Sequence, residues 1–119
     1  MATGARGEGR LEADGEVFTI LYTNRALADA EVATGKSIMG MVSAFQRDVI
    51  RIRDMAELLA VGLEHSRRET RSRPKTYKVD EAYELMDRVG FGSVALVVME
   101  AIAAVLMFDR DKDSDGPPA

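Results

Sequence analysis

The feature that most restricts the fold of this chain is its longest apolar run, FGSVALVVMEAIAAVLMF at residues 91–108. As a helix, the run places Val94, Val98 and Ile102 on one face and Leu96 elsewhere, so most of its circumference is apolar. Such a helix has to be covered on nearly all sides. A chain of 119 residues builds one domain with a single core. Either this helix is central in its own bundle, or the domain covers one side and another chain covers the other.

The same run is close to the length of a membrane-spanning helix. Glu100 lies inside it, and Gly92 and Ser93 lie near its start, which favours a buried or partner-covered helix instead. The N-terminal stretch MATGARGEGRLEADG lacks the apolar core of a secretory signal. The absence of cysteine fits a reducing cytoplasm. We therefore expect a cytoplasmic protein that does not enter the membrane.

A β-hairpin is predicted near the N-terminus. Asp14-Gly15 is a favoured two-residue turn, because glycine accepts positive φ and aspartate tolerates it. The following strand is rich in β-branched and aromatic residues and places Phe18, Ile20 and Tyr22 on one face. A single hairpin is not stable alone, so it lies against helices or pairs with a strand of another chain. The segment whose edge is predicted to self-associate consists of Val17, Phe18, Thr19, Ile20 and Leu21.

Beyond the hairpin, the apolar spacing becomes helical. Thr23 or Asn24 can cap a first helix, Gly35 can end it in the left-handed conformation, and Ser37 can cap a second. Three more helices are predicted at about 48–65, 80–89 and 93–108. The side chains predicted to face the core are Leu27, Ala30, Ile38, Met41, Val42, Phe45, Ile52, Met55, Ala56, Leu59, Leu63, Ala82, Leu85, Met86 and Val89.

The predicted fold class is therefore mainly α, a small bundle of about five helices with an N-terminal β-hairpin. The hydrophobic fraction of 46% supports a packed core. The Gly- and Ala-rich start and the charged DRDKDSDGPPA end do not fit that core. The predicted division is a flexible arm at 1–9, a single α-rich domain at 10–108 and a disordered acidic tail at 109–119.

Residues 30–37, AEVATGKS, fit a permissive phosphate-loop pattern, [AG]xxxxGK[ST]. A phosphate loop follows a buried strand, and its glycines free backbone N–H groups to surround phosphate oxygens. Here the preceding segment, 24–34, is predicted as a helix, and Gly35 is the loop's only glycine. We expect Gly35 to end one helix and Ser37 to cap the next, with no nucleotide cofactor.

Two further patterns resemble chemical sites. DKDSDG at 111–116 matches the first half of a calcium loop but lacks the later bidentate glutamate and the following helix, so a solvated tail is favoured. His65, the only histidine, is predicted at the end of the third helix, where it complements the helix dipole. No partner group for catalysis is visible beside it. We expect no metal site, no catalytic residue and no enzyme.

The segment HSRRETRSRPKTYK at 65–78 concentrates positive charge. Such a cluster can contact a nucleic-acid backbone, but one aromatic residue, Tyr77, gives little support for base stacking, and the net charge is −4. A solvated loop is favoured and nucleic-acid binding is unlikely; the alternative is a small nucleic-acid-binding helical module using residues 67–78. The residues of this possible basic contact surface are Arg67, Arg68, Arg71, Arg73 and Lys75.

After the hairpin, the chain runs through ALADAEVATGKSIMGMV, DMAELLAVGLEH, a polar gap, VDEAYELMDRVG and an apolar closing helix. This order resembles the small tail assembly chaperones of tailed bacteriophages, especially those of gene transfer agents. The similar features are Glu31 and Gly35, the helix end from Leu59 to His65, and the acidic helix from Asp80 to Asp87. The resemblance covers roughly residues 10–108, and its motifs are packing patterns rather than catalytic signatures.

The resemblance implies a non-enzymatic chaperone in the host cytoplasm. Its implied partners are the tape-measure protein, which it would coat and keep soluble, and the tail tube protein, which it would help recruit. A homo-oligomer is expected, and a structural head–tail or tail component of the particle is the other interpretation. The hypothesised partner-binding residues are Met99, Ile102 and Leu106, although the sequence does not distinguish the inner from the outer face of their helix. On that hypothesis, Ile102→Asp abolishes tape-measure solubilisation.

Overall fold

The computed structural model of the protein describes residues 7–70 and 78–115. Within these ranges the chain forms an N-terminal two-stranded hairpin followed by five helices, which confirms the predicted fold class. The elements are β1 (Glu8–Ala13), β2 (Glu16–Leu21), α1 (Asn24–Thr34), α2 (Ile38–Gln46), α3 (Ile52–Thr70), α4 (Val79–Val89) and α5 (Phe91–Asp115).

The hairpin forms as its turn residues predict. The strands are antiparallel, with Leu11 opposite Phe18, and Asp14 and Gly15 both have positive φ, 54° and 82°. This is the backbone conformation of the two-residue turns that match strand twist. Ile20 and Tyr22 are fully buried on the inner face of the hairpin.

The loop between α1 and α2 also has the predicted capping geometry. The side chain of Thr23 accepts a hydrogen bond from the backbone N–H of Ala26 and begins α1. Gly35 ends that helix at φ 72° in the left-handed region. The hydroxyl of Ser37 accepts from the N–H of Gly40 and begins α2.

Helix α3 differs from its predicted limits of 48–65 at both ends. Asp48 has φ 60°, a left-handed conformation that a helix interior does not allow, so 47–51 is non-helical and α3 begins at Ile52. Ile52 was predicted to face the core, but 60% of it is exposed. At the other end α3 continues to Thr70, because no helix breaker occurs before Pro74.

Helix α3 is the central element, since it contacts β2, α1, α4 and α5. Tyr22 lies between the hairpin and α3, and its hydroxyl donates a hydrogen bond of 2.6 Å to the carbonyl of Leu58. Gly62 permits this close approach: a Cβ there would lie 2.7 Å from the Tyr22 ring. The other predicted core positions of α3, Met55, Ala56, Leu59 and Leu63, are all buried.

Helix α4 is fixed to the tip of the hairpin. The Arg88 guanidinium donates to the carboxylate of Asp14 at 3.0 Å and to the carbonyl of Ala13 at 3.3 Å. The same guanidinium lies 5.7 Å from the centroid of the Phe18 ring. Ala82, Leu85 and Met86 face the core as predicted, whereas Val89 is half-buried.

Helix α5 contacts β1, α3 and α4. In the described ranges no single helix is long and apolar enough to cross a membrane; α4 and α5 reach that length and composition together, but the chain bends by 116° between them. Helix α5 extends to Asp115, past its predicted end and into the segment predicted as a disordered tail. Of the predicted arm, only 7–9 are described, with Glu8 and Gly9 in β1; residues 1–6 and 116–119 lie outside the described residues.

Candidate protein-binding surface

In the loop that resembles a phosphate loop, backbone N–H groups already donate hydrogen bonds to acceptors within the chain. The N–H of Gly35 donates to the carbonyl of Glu31 at 2.8 Å, and the N–H of Lys36 donates to Thr34 Oγ1 at 3.2 Å. The N–H of Ile38 donates to the Glu31 carboxylate at 2.9 Å. A phosphate would have to displace these acceptors, because binding needs the same N–H groups.

The lysine of the same loop is also engaged. Lys36 Nζ lies 2.6 Å from Asp54 Oδ2, and Asp54 is buried in the first turn of α3 at 7% exposure. Sequence analysis did not predict this pair, because its two residues lie on different structural elements. The pair joins the α1–α2 loop to α3, so Gly35, Lys36 and Ser37 have structural roles that do not need a nucleotide.

We expect Lys36→Ala to lower the free energy of unfolding by about 1–3 kcal/mol, because the nearly buried Asp54 carboxylate loses its cation. Chemical denaturation measures this loss, and Arg25→Ala, at an exposed cation in the first turn of α1, is the matched control that should change little. Titration calorimetry with magnesium and ATP should give no binding heat for either the original protein or the variant. Nucleotide binding that disappears in Lys36→Ala would contradict this structural role.

His65 is not at a helix end, as the sequence predicted, but within α3. Its Nε2 lies 2.8 Å from Asp29 Oδ2 of α1, and the residue is buried. The hydrogen bond therefore joins α1 to α3.

Among the described residues no group of histidine, aspartate and glutamate side chains could hold a metal ion. The calcium-like segment is helical from Asp111 to Asp115, and Gly116 lies outside the described ranges.

The possible basic surface is only partly described. Arg68 forms an ion pair with Glu64 one turn earlier on α3. Arg67 is half-buried and lines a cleft of about 220 Å³ in which Glu81 and Glu84 also lie. Arg71, Arg73 and Lys75 lie outside the described residues. The described part of this region thus has mixed charge, and its arginines do not form a separate basic face.

The hypothesised partner-binding residues on α5 do not share an exposed face. Ile102 is 1% and Met99 is 7% exposed, so both belong to the core, and Leu106 is half-buried. The domain body covers the face of α5 that carries Ile102, which the sequence did not distinguish from the outer face. The exposed face lies on the opposite side of the helix.

That exposed face is a stripe with helical spacing. We call it the α5 stripe, and its residues are Leu96, Glu100, Ala103 and Met107. Leu96 is 57% exposed and Met107 is also exposed, while Ala103 is half-buried. Glu100 is the one charged member. The apolar composition of the whole run indicated a partly uncovered helix, but only the packing of Val94, Val98 and Ile102 on the core shows which side stays uncovered.

A second exposed surface lies where α2 joins α3, and the sequence did not indicate it. We call it the junction patch; it consists of Arg47, Val49, Arg51 and Ile52. Val49 and Ile52 are both more than half exposed. The guanidinium groups of Arg47 and Arg51 form no hydrogen bond or ion pair with the described part of the chain. The patch therefore combines apolar side chains with two unpaired arginines, and exposed Asp48 follows Arg47 in the same segment.

The predicted self-association strand, 17–21, is β2. The Tyr22 N–H donates a hydrogen bond to the carbonyl of Gly7. In an antiparallel pair, every second residue of a strand hydrogen-bonds to the partner strand. The backbone groups of Val17, Thr19 and Leu21 therefore point away from β1. Thr19 Oγ1 is 2.6 Å from Ser66 Oγ of α3, so part of this edge lies against the helix. Self-association through β2 stays a prediction.

Together, the fold and these surfaces define a small helical protein whose exposed apolar side chains include the α5 stripe and the junction patch, besides single residues such as Val17, Val32 and Met39. No protein-family model, no curated protein and no solved structure matches the chain. Its function has to be inferred from its own surfaces.

Proposed function

We propose that this protein is a non-enzymatic assembly chaperone of the phage-tail type, which binds and keeps soluble a long helical tape-measure protein and helps recruit tail tube subunits. The observation that carries the proposal is the α5 stripe, an apolar helix face that the domain leaves uncovered. The lysine and the histidine that suggested chemistry support it indirectly, because Lys36 and His65 are engaged in internal pairs.

The α5 stripe suits a helical partner. Helices recognise one another through apolar side chains spaced three, four and seven residues apart. Leu96 and Ala103 are seven residues apart, and Ala103 and Met107 are four apart. A tape-measure helix exposes apolar stripes that would aggregate if left bare. Methionine adapts its shape, so Met107 can accept varied side chains along such a partner.

The small size of the stripe fits a reversible chaperone. Each contact would be weak, and Glu100 in the middle of the stripe limits its apolar area. Many copies along one tape-measure chain would still hold a durable coat, because neighbouring contacts raise the effective concentration. Tail tube subunits could then displace the copies one at a time, which is the second part of the proposed role.

The test is co-expression with the tape-measure protein, expected as a long, helix-rich product of the reading frame immediately downstream. The double variant Leu96→Asp/Met107→Asp should lower the soluble fraction of that protein several-fold, because two charges replace the apolar contacts. Val32→Asp is the matched control, since Val32 is 85% exposed on α1 and lies outside the stripe.

Both variants should fold, because all three positions are exposed, and circular dichroism checks this. Equal solubilisation by the original protein and the stripe variant would overturn the proposal. The proposal also predicts that the protein is absent from purified mature particles. Its presence there at a fixed stoichiometry would identify a structural component instead.

A further inference from the structure

The junction patch has a counterpart on the same chain. The outer face of α4 carries three exposed carboxylates at helical spacing, Asp80, Glu84 and Asp87, with half-buried Tyr83 among them. We call these four residues the acidic stripe. None of the three carboxylates has a hydrogen bond or ion pair with any residue that the structure describes. Unpaired charges of opposite sign thus lie on two surfaces of one molecule. Of the three carboxylates, Glu84 also lines the cleft that contains Arg67 and Arg88.

One copy cannot bring its own two surfaces together. Ile52 of the junction patch is at the beginning of α3, whereas α4 lies beside Leu63 and Arg67, near the end of α3. At 1.5 Å per residue, Ile52 and Leu63 are about 16 Å apart along the helix. Arg88 holds α4 on the hairpin tip, so α4 cannot move toward the junction patch without breaking that contact.

We propose that the junction patch of one copy binds the acidic stripe of a second copy, head to tail. Arg47 and Arg51 would face carboxylates, and Val49 and Ile52 would cover the Tyr83 ring. The two surfaces differ, so the interface is heterologous: each bound copy presents a free patch and a free stripe for the next. This association does not depend on the proposed tape-measure binding, which uses α5.

Sedimentation of the purified full-length protein tests this association. The sedimentation coefficient should rise with concentration at about 0.05 M salt and fall back to the monomer value at about 0.5 M, since exposed charge pairs are screened. Arg47→Glu/Arg51→Glu should remain monomeric at low salt, and so should Glu84→Lys/Asp87→Lys. Arg25→Glu is the matched control, because Arg25 is exposed in the first turn of α1, outside both surfaces. This variant should assemble like the original protein.

Mixing the two non-assembling variants gives the decisive result. Each retains one original surface and one reversed surface, so the mixture again offers opposite charges at every interface and should assemble. A chain carrying all four substitutions should also assemble. Circular dichroism of each variant separates loss of assembly from loss of folding.

Four outcomes would overturn the proposal. The original protein could stay monomeric at all concentrations, or Arg25→Glu could weaken assembly as much as the patch variant does. A third is a mixture of folded variants that does not assemble. Arg47- and Arg51-dependent binding to phosphatidylserine vesicles by a protein that is otherwise monomeric would assign the patch to an anionic membrane surface and would also overturn it.

Discussion

Replacing Ile102 by Asp is expected to unfold the protein. Ile102 is 1% exposed on the inner face of α5, so the substitution removes apolar packing and buries a carboxylate with no partner. A destabilisation of more than about 4 kcal/mol is expected, near the limit of what single substitutions cause. That is close to the whole stability of a small domain. Circular dichroism and chemical denaturation measure the effect.

Two control substitutions separate the effect of burying the carboxylate from the effect of introducing it. Leu96→Asp introduces the same carboxylate on the exposed face of α5 and should change stability little, because its charge remains in water. Ile102→Val keeps the site apolar and should lower the free energy of unfolding by about 0.5–1.5 kcal/mol. A folded Ile102→Asp protein that has lost only partner binding would contradict the orientation of α5 and restore the first hypothesis.

The contrast between Ile102 and Leu96 shows where sequence reasoning stopped for α5. Both are aliphatic, and both belong to a run with apolar residues on most sides. Periodicity identifies the exposed face of a helix only when that face is polar. Here Glu100 is the only charged residue of the run 91–108. The choice between the two faces is made by packing against β1 and α3, which a single helix cannot encode.

Local signals were more successful. Asp14-Gly15, Gly35 and Ser37 were assigned correctly, and of the two candidates Thr23 and Asn24 it is Thr23 that caps α1, since a turn or a cap depends on the few residues around it. The prediction failed at the beginning of α3, where Ile52 was expected to face the core. Ile52 has the same helical spacing as the buried residues that follow, but it lies beyond the end of the core.

The side-chain pairs that join α1 and the α1–α2 loop to α3 could not be predicted, for a different reason. Lys36 of the α1–α2 loop pairs with Asp54 of α3, and His65 of α3 pairs with Asp29 of α1. Nothing in the local pattern selects one carboxylate among the many in the chain. The junction patch was missed because the helix predicted to start at Asp48 placed three of its four residues, Val49, Arg51 and Ile52, inside α3.

The second large effect is expected at Tyr22. The ring is fully buried between the hairpin and α3, against Gly62, so Tyr22→Ala should lower the free energy of unfolding by about 3–5 kcal/mol. Tyr83→Ala, at a half-buried tyrosine of α4, should have a clearly smaller effect. Equal losses at the two positions in urea denaturation would show that Tyr22 does not hold the hairpin on α3.

Alkaline pH tests the buried hydroxyl itself. Burial raises the pKa of Tyr22 far above its usual value of 10.0, so the folded state keeps the phenol proton where the unfolded state releases it. Stability from this group is complete below pH about 10 and falls by up to about 1.4 kcal/mol per pH unit above it. Tyr22→Phe lacks this loss, so its stability should approach that of the original protein as pH rises. A stability difference that stays constant above pH 10 would mean that the phenol is not shielded from water.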